Sequence, residues 1–200
     1  MKEKFCLIKG IWKMKTLIVI DMQNDFVTGS LGTKEAQAIV PKVKDKISEY
    51  ALRKDNVIFT RDTHGKDYLD TQEGKFLPVE HCIRDTEGWL VEHDIEDNVN
   101  FLVLELDDFR PIVIDKDTFG YKNWNLFSNI FEDCDEIELI GVCTDICVIS
   151  NALILKAQFP EIKITVDASC CAGVTTELHE AALKVMRSCQ INVIGDEKND

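Results

Sequence analysis

Short apolar runs recur along the chain, and each stops at or beside a charged or polar residue. They are LIVI at 17–20, NVIFT at 56–60, PIVID at 111–115, EIELIGV at 136–142, EIKITVD at 161–167 and INVIG at 191–195. A run such as LIVI that is apolar at every position marks a strand covered on both faces. Helical patterns fall between the runs. Pro41 opens a segment with Val43, Ile47, Tyr50 and Ala51 on one face, which predicts a helix with proline in its first turn. Residues 144–157 are apolar nearly all round and predict a central, buried helix. Residues 176–189 predict an amphipathic helix with Leu178, Ala182, Val185 and Met186 inward. Strands alternating with helices imply an α/β fold: a three-layer α/β/α sandwich around a central, mostly parallel sheet of about six strands. In such sheets ligands bind beyond the carboxyl ends of the strands. Residues placed just after the apolar runs are therefore the candidates for chemistry.

The chain has 200 residues, 45% of them hydrophobic, which suits one domain with a full core. Residues 1–13 are basic and only partly apolar, and a second Met at position 14 begins the strand-like MKTLIVID. The expectation is an N-terminal extension over 1–13 and a single domain over 14–200. The net charge of −13 argues against nucleic acid or an anionic membrane as partner. Eight cysteines occur without a CxxC pair or a recognisable signal segment, so reduced thiols in a cytoplasmic protein are expected. The adjacent Cys170 and Cys171 are expected to do no more than pack at a strand end.

GVCTDIC at 141–147 carries the strongest chemical signal. A strand ends at Gly141–Val142, a helix begins near Thr144, and Cys147 falls in its first turn. Free N–H groups and the positive helix end favour a thiolate there, and the same N–H groups can hold an oxyanion. A buried cysteine in an apolar helix fits the segment equally. Asp21 directly follows LIVI and is expected to leave the core at the sheet rim, near Phe26, which can wall a pocket. Lys116 directly follows PIVID; beside a thiol it would stabilise the thiolate and be held charged by Asp21. Residues 61–98 read as one long loop, with a weak helix or turn after it in FLVLELDDF. The loop holds Asp62, His64, Glu73 and His81. Two imidazoles with one or two carboxylates suit zinc or another divalent first-row metal, and solvated loop residues are the plainer alternative. His93 and His179 stand apart and read as structural.

LIVIDMQNDF at 17–26, FTRDTH at 59–64, EGKFLPVEHC at 73–82, IDKDTFG at 114–120 and IGVCTDICV at 140–148 occur in an order that resembles the isochorismatase-like cysteine hydrolases, within them the nicotinamidase/pyrazinamidase branch. The resemblance runs from about Lys15 to Gly195 and implies an isochorismatase-like fold. It implies a catalytic triad of Asp21, Lys116 and Cys147, and an oxyanion hole from the N–H groups of Cys143 and Cys147, with a cis peptide at Val142–Cys143 turning the first of them inward. It implies one divalent metal on Asp62, His64, His81 and Glu73, zinc first with iron or manganese as alternatives, where the pyridine nitrogen of the substrate would bind. It further implies a pocket walled by Phe26, Phe119 and Ile146, and a place in pyridine nucleotide salvage. A dimer or tetramer is the assembly it implies. Isochorismatases proper lack the cysteine and cleave a vinyl ether, so Cys147 favours an amide and a thioester intermediate. Two residues depart from the pattern. Ile146 stands where many nicotinamidases have histidine, and Phe76 is the nearest counterpart of an aromatic residue usual before the PxHC segment. They leave open another carbon–nitrogen hydrolase of the superfamily, acting on a ureido, carbamoyl or small amide group. A non-catalytic metal- or ligand-binding protein is the remaining alternative.

Overall fold

A computed structural model describes residues 14–196. The expected extension over 1–13 lies outside the described residues. Six strands, β1 (Met14–Ile20), β2 (Asn56–Asp62), β3 (Ile112–Lys116), β4 (Cys134–Val142), β5 (Lys163–Ala172) and β6 (Asn192–Ile194), form one sheet in the order β3-β2-β1-β4-β5-β6. All five pairings are parallel. The chain first moves outward from β1 to β3, then returns to the other side of β1 as β4. The crossovers therefore diverge between β1 and β4, and a crevice opens at their carboxyl ends.

Alternate side chains of β1 explain its unbroken apolar run. Leu17 and Val19 pack on one face with Ile39, Val43, Ile47 and Tyr50 of α1 (Lys34–Leu52) and with Ile95 and Leu102 of α2 (His93–Glu105). Ile18 and Ile20 pack on the other face with Ala152 and Leu155 of α3 (Ile149–Gln158) and with Ala182, Leu183 and Met186 of α4 (Thr176–Ser188). Each such fully buried side chain contributes about 1.5–3 kcal/mol. No helix among the described residues is long and apolar enough to cross a membrane.

Four expectations about helices need correction. Pro41 does not open α1: the helix starts at Lys34, where the Thr33 side chain caps by accepting from the Ala36 N–H. Pro41 is tolerated inside because it faces solvent, so the Gln37 carbonyl left without its helical partner faces water. The segment 61–98 is not one loop. It contains short helical turns at Tyr68–Asp70, Gln72–Phe76 and Glu87–Trp89, and α2 begins within it at His93, capped by Glu92. FLVLE is the second half of that helix. Its first half, HDIEDNVN, is polar enough to hide the periodicity. α3 is buried on one side only, and Leu153 is exposed because nothing described packs over its outer face. In α4 the inward stripe is Ala182, Leu183 and Met186, while Leu178 and Val185 are exposed. His179, half-buried in the first turn, is bonded to Thr144 on the side that Ala182 and Leu183 continue.

Candidate active site

Asp21, Lys116 and the 143–147 turn meet at the β1–β4 crevice. Asp21 leaves β1 with φ +48, a left-handed conformation that aspartate tolerates better than most residues. Across from it, Gly141 has φ +118, and a Cβ there would collide with the Ile20 carbonyl. Glycine thus lets the end of β4 close onto the end of β1. The Val142–Cys143 peptide is cis. A π-helical turn at Thr144–Val148 then leads into α3 and presents Cys147.

Lys116 Nζ lies 2.7 Å from Asp21 Oδ2 and 3.4 Å from Asp62 Oδ1, and it donates to Cys147 Sγ at 3.8 Å. Asp21 also accepts from the Thr60 hydroxyl at 2.7 Å and hydrogen-bonds the Cys147 thiol. Asp21, Lys116 and Cys147 are 0%, 3% and 5% exposed. Asp21 leaves its strand at the sheet rim and is fully buried there. Burial works against the Lys116 ammonium, but Asp21, the Cys147 sulfur and Asp62 outweigh it and hold Lys116 above the ordinary lysine range. Burial pushes the Asp21 carboxyl up, against the pull of Lys116. The expected low-pKa thiol is also corrected. Burial drives Cys147 well above the ordinary thiol value, Lys116 opposing and Asp21 and Asp62 adding to the rise. Burial thus disfavours the charged form of the thiol and makes the Asp21 carboxyl beside it more basic.

Asp62 joins this trio to a second cluster. His64 Nε2 is 2.9 Å and His81 Nε2 is 3.6 Å from Asp62 Oδ2, and the same nitrogens are 3.7 and 3.9 Å from Glu73 Oε1. One donor atom from each of the four residues falls within 4.8 Å of the others. His81 donates from Nδ1 to the Val79 carbonyl at 2.9 Å, which leaves Nε2 facing the cluster with its lone pair. Two imidazole nitrogens and two carboxylates, one of them buried, fit a borderline divalent ion such as zinc, iron or manganese. Burial would raise the Asp62 carboxyl, but the His64 imidazole at 2.9 Å and the charge of Lys116 carry it well below the usual carboxylate range.

A cleft of about 270 Å³ opens onto both clusters. Phe26, Phe119, Ile146, Leu77 and Val174 line it together with Cys143, Cys147, Asp62, Glu73 and His81. It is smaller than the usual site for a drug-sized molecule. All three expected pocket residues face it. Phe76 does not: its side chain is 84% exposed outside the cleft. The aromatic beside the metal-type cluster is instead Tyr68, fully buried, with ring centroids 4.6 Å from His64 and 4.9 Å from His81. His93 pairs with Glu87 away from the site, and His179 bonds Thr144 behind the nucleophile turn.

Several supporting residues escape sequence reasoning. Gln23 is fully buried, accepts from the Asp62 N–H at 2.7 Å, and donates to the Asp62 and Trp89 carbonyls at 2.9 and 2.8 Å. Only its place in a polar run after a strand marked it. Asn151 donates to the Cys147 carbonyl at 2.8 Å and accepts from the Tyr121 N–H and the Trp124 indole, tying α3 to the loop after β3. An asparagine within an apolar helix was its available signal.

An isochorismatase domain model matches residues 15–198. The chain is 25% identical over 194 residues to a nicotinamidase/pyrazinamidase of Mycobacterium tuberculosis, with 90% of this chain and 98% of that protein covered. It is 28% identical to the crystal structure of a pyrazinamidase/nicotinamidase from Streptococcus mutans, at a TM-score of 0.75, covering 90% of this chain and 99% of that one. The fold is also shared with a Pyrococcus horikoshii pyrazinamidase solved in complex with zinc, at 23% identity and a TM-score of 0.71, covering 90% and 98%. With its domain matched almost end to end, the chain belongs to the isochorismatase family, and its relatives there include nicotinamidases and pyrazinamidases.

Proposed function

We propose that the chain is a metal-containing cysteine amidohydrolase of the nicotinamidase type, converting nicotinamide and water to nicotinate and ammonia. The observation that carries this is one lysine, Lys116, in contact with Asp21, with the Cys147 sulfur and with Asp62 of the His64–Glu73–His81 cluster. Its relatives act on carbon–nitrogen bonds, and the cleft of about 270 Å³ suits an amide of modest size at the reacting end. Asp62, His64, Glu73 and His81 would hold the metal. When bound, that ion supplies a Lewis-acidic point for a ring nitrogen at the end of the cleft.

The chain's own residues account for the acyl transfer. Asp21 takes the Cys147 proton, and Lys116 stabilises the charges as they shift. The sulfur bonds to the amide carbon while the carbonyl electrons move to oxygen, toward the N–H groups of Cys143 and Cys147. Losing one such donor typically costs about 3–4 kcal/mol of transition-state stabilisation. The oxyanion collapses, the C–N bond breaks, and Asp21 returns its proton to the departing ammonia. Water, deprotonated by Asp21, then attacks the thioester, releasing the acid and restoring the thiol. The proposal extends to a cytoplasmic protein over residues 14–200, acting in pyridine nucleotide salvage as a dimer or tetramer.

A panel of small amides, ureas and carbamoyl compounds assayed for ammonia release tests this. Turnover of nicotinamide well above the other compounds is expected, with none in Cys147→Ala. The apolar wall that Ile146 adds favours a second reading, another carbon–nitrogen hydrolase. A clear preference for a ureido or carbamoyl compound would establish it instead.

A further inference from the structure

We infer that the preferred substrate carries an uncharged apolar group remote from the amide it loses, and that this group lies in a groove between Phe76 and Phe119 outside the cleft. The inference rests on the hydrolase function proposed above. A second hollow, of about 500 Å³, adjoins the cleft and shares Glu73, Leu77, Phe119 and Ile146 with it. Cys143 and Cys147 line the cleft and not the groove, whereas Phe76, Asp117 and Thr118 line the groove and not the cleft. A molecule with its carbonyl at Cys147 and a substituent directed past Phe119 and Ile146 would place that substituent in the groove. Phe76 is 84%, Phe119 46% and Leu77 38% exposed, so three large apolar side chains meet water at one mouth. Such clusters on a soluble chain mark binding surfaces.

Phe76 is not on a loose loop. It ends the Gln72–Phe76 turn, whose N-terminus is capped by Thr71 accepting from the Gly74 N–H at 3.0 Å. Gly74 packs so closely on the Tyr68 carbonyl that a Cβ there would collide with it. The Tyr68 hydroxyl donates to the Leu77 carbonyl at 2.9 Å just beyond Phe76. The turn is thus fastened on both sides of Phe76 to a fully buried tyrosine that also touches His64 and His81. Ile146 continues the apolar surface from the cleft to the groove. Asp117 flanks it and the chain carries −13, so an anionic extension is disfavoured.

The test compares nicotinamide with pyridine-3-carboxamides bearing a phenyl or butyl group on the ring, and with N-phenylnicotinamide, in the parent and in Phe76→Ala. Expected is a kcat/KM for the best ring-substituted amide about tenfold above nicotinamide in the parent, lost in the variant, while nicotinamide changes by less than about twofold. Equal use of the two amides, equal sensitivity to Phe76→Ala, or preference for the N-phenyl compound overturns the inference. Calorimetric binding of the same amides to Cys147→Ala and to Cys147→Ala/Phe76→Ala separates it from the hydrolase proposal. If no amide turns over, that proposal fails, and a Phe76-dependent affinity difference still supports the groove while equal affinity overturns it. Sedimentation in which Phe76→Asp dissociates an oligomer assigns the groove to a second copy and also overturns the inference.

Discussion

Replacing Lys116 with methionine keeps the length of the side chain and removes its charge. Nζ is 2.7 Å from one carboxylate and 3.4 Å from another, and the lysine side chain has no solvent exposure. Removing one partner of a buried ion pair typically costs about 3–5 kcal/mol, because the remaining charge is stranded. Against a total stability of about 5–15 kcal/mol that is a large fraction. For a domain of this size each kcal/mol moves Tm by about 2–4 °C, so Lys116→Met should lower Tm by roughly 6–20 °C. The second half of the test is Asp21→Asn in the same background. With both members of the 2.7 Å pair neutral and similar in shape, the charge stranded at Asp21 disappears and only the longer Asp62 contact stays lost, so Lys116→Met/Asp21→Asn should recover much of the loss, giving a favourable coupling in the double-mutant cycle. Urea denaturation followed by circular dichroism reads all four proteins. A Lys116→Met variant within about 1 kcal/mol of the parent, or a cycle with additive losses, would refute the account of Lys116 as the cation joining two buried carboxylates.

Tyr68→Phe should lose about 1 kcal/mol in urea denaturation by deleting the hydroxyl bond to Leu77, whereas Tyr68→Ala should lose about 3–5 kcal/mol; equal losses would deny the ring its packing role. Emission spectrometry should find about one divalent ion per chain in the parent and far less in His81→Ala, with chelator-treated parent losing activity that added zinc, iron or manganese restores; undiminished metal in the variant would contradict the assignment. Glu136 is buried, which favours its neutral form, but Lys15, Lys163 and the Thr165 hydroxyl outweigh this and bring its carboxyl down to about 2. Its folded value lies below the unfolded one of about 4.3, so its stabilisation is present above that pH and fades as pH falls toward 2. The stability gap between parent and Glu136→Gln should shrink over that window, and a gap independent of pH would refute the link.

The layer order and the rim were legible because they follow from local signals. Apolar runs such as LIVI must be covered on both faces, and a polar residue at each run's end must lie where a parallel sheet opens. Asp21, Lys116 and the 143–147 turn were found by that rule. The environment each meets was less legible, because burial depends on what folds over a residue from elsewhere. The helix-end effect on Cys147 is local and visible in sequence; the desolvation that overrides it comes from the residues of distant elements packed around it. Phe76 and Tyr68 show the same limit. Both precede the His81 segment, and only the turn fastened by Gly74 decides that Tyr68 turns inward and Phe76 outward. Pro41 read as a helix start because proline is most at home in a first turn, whereas the Thr33 cap starts the helix seven residues earlier.

The most direct measurement of the central claim is peptide mass mapping of protein quenched with acid during nicotinamide turnover. An acyl group is expected on the peptide containing Cys147, absent without substrate and absent in Cys147→Ala, which should also release no ammonia. Ammonia release that persists in Cys147→Ala, or full turnover with the acyl group on a different residue, would contradict it.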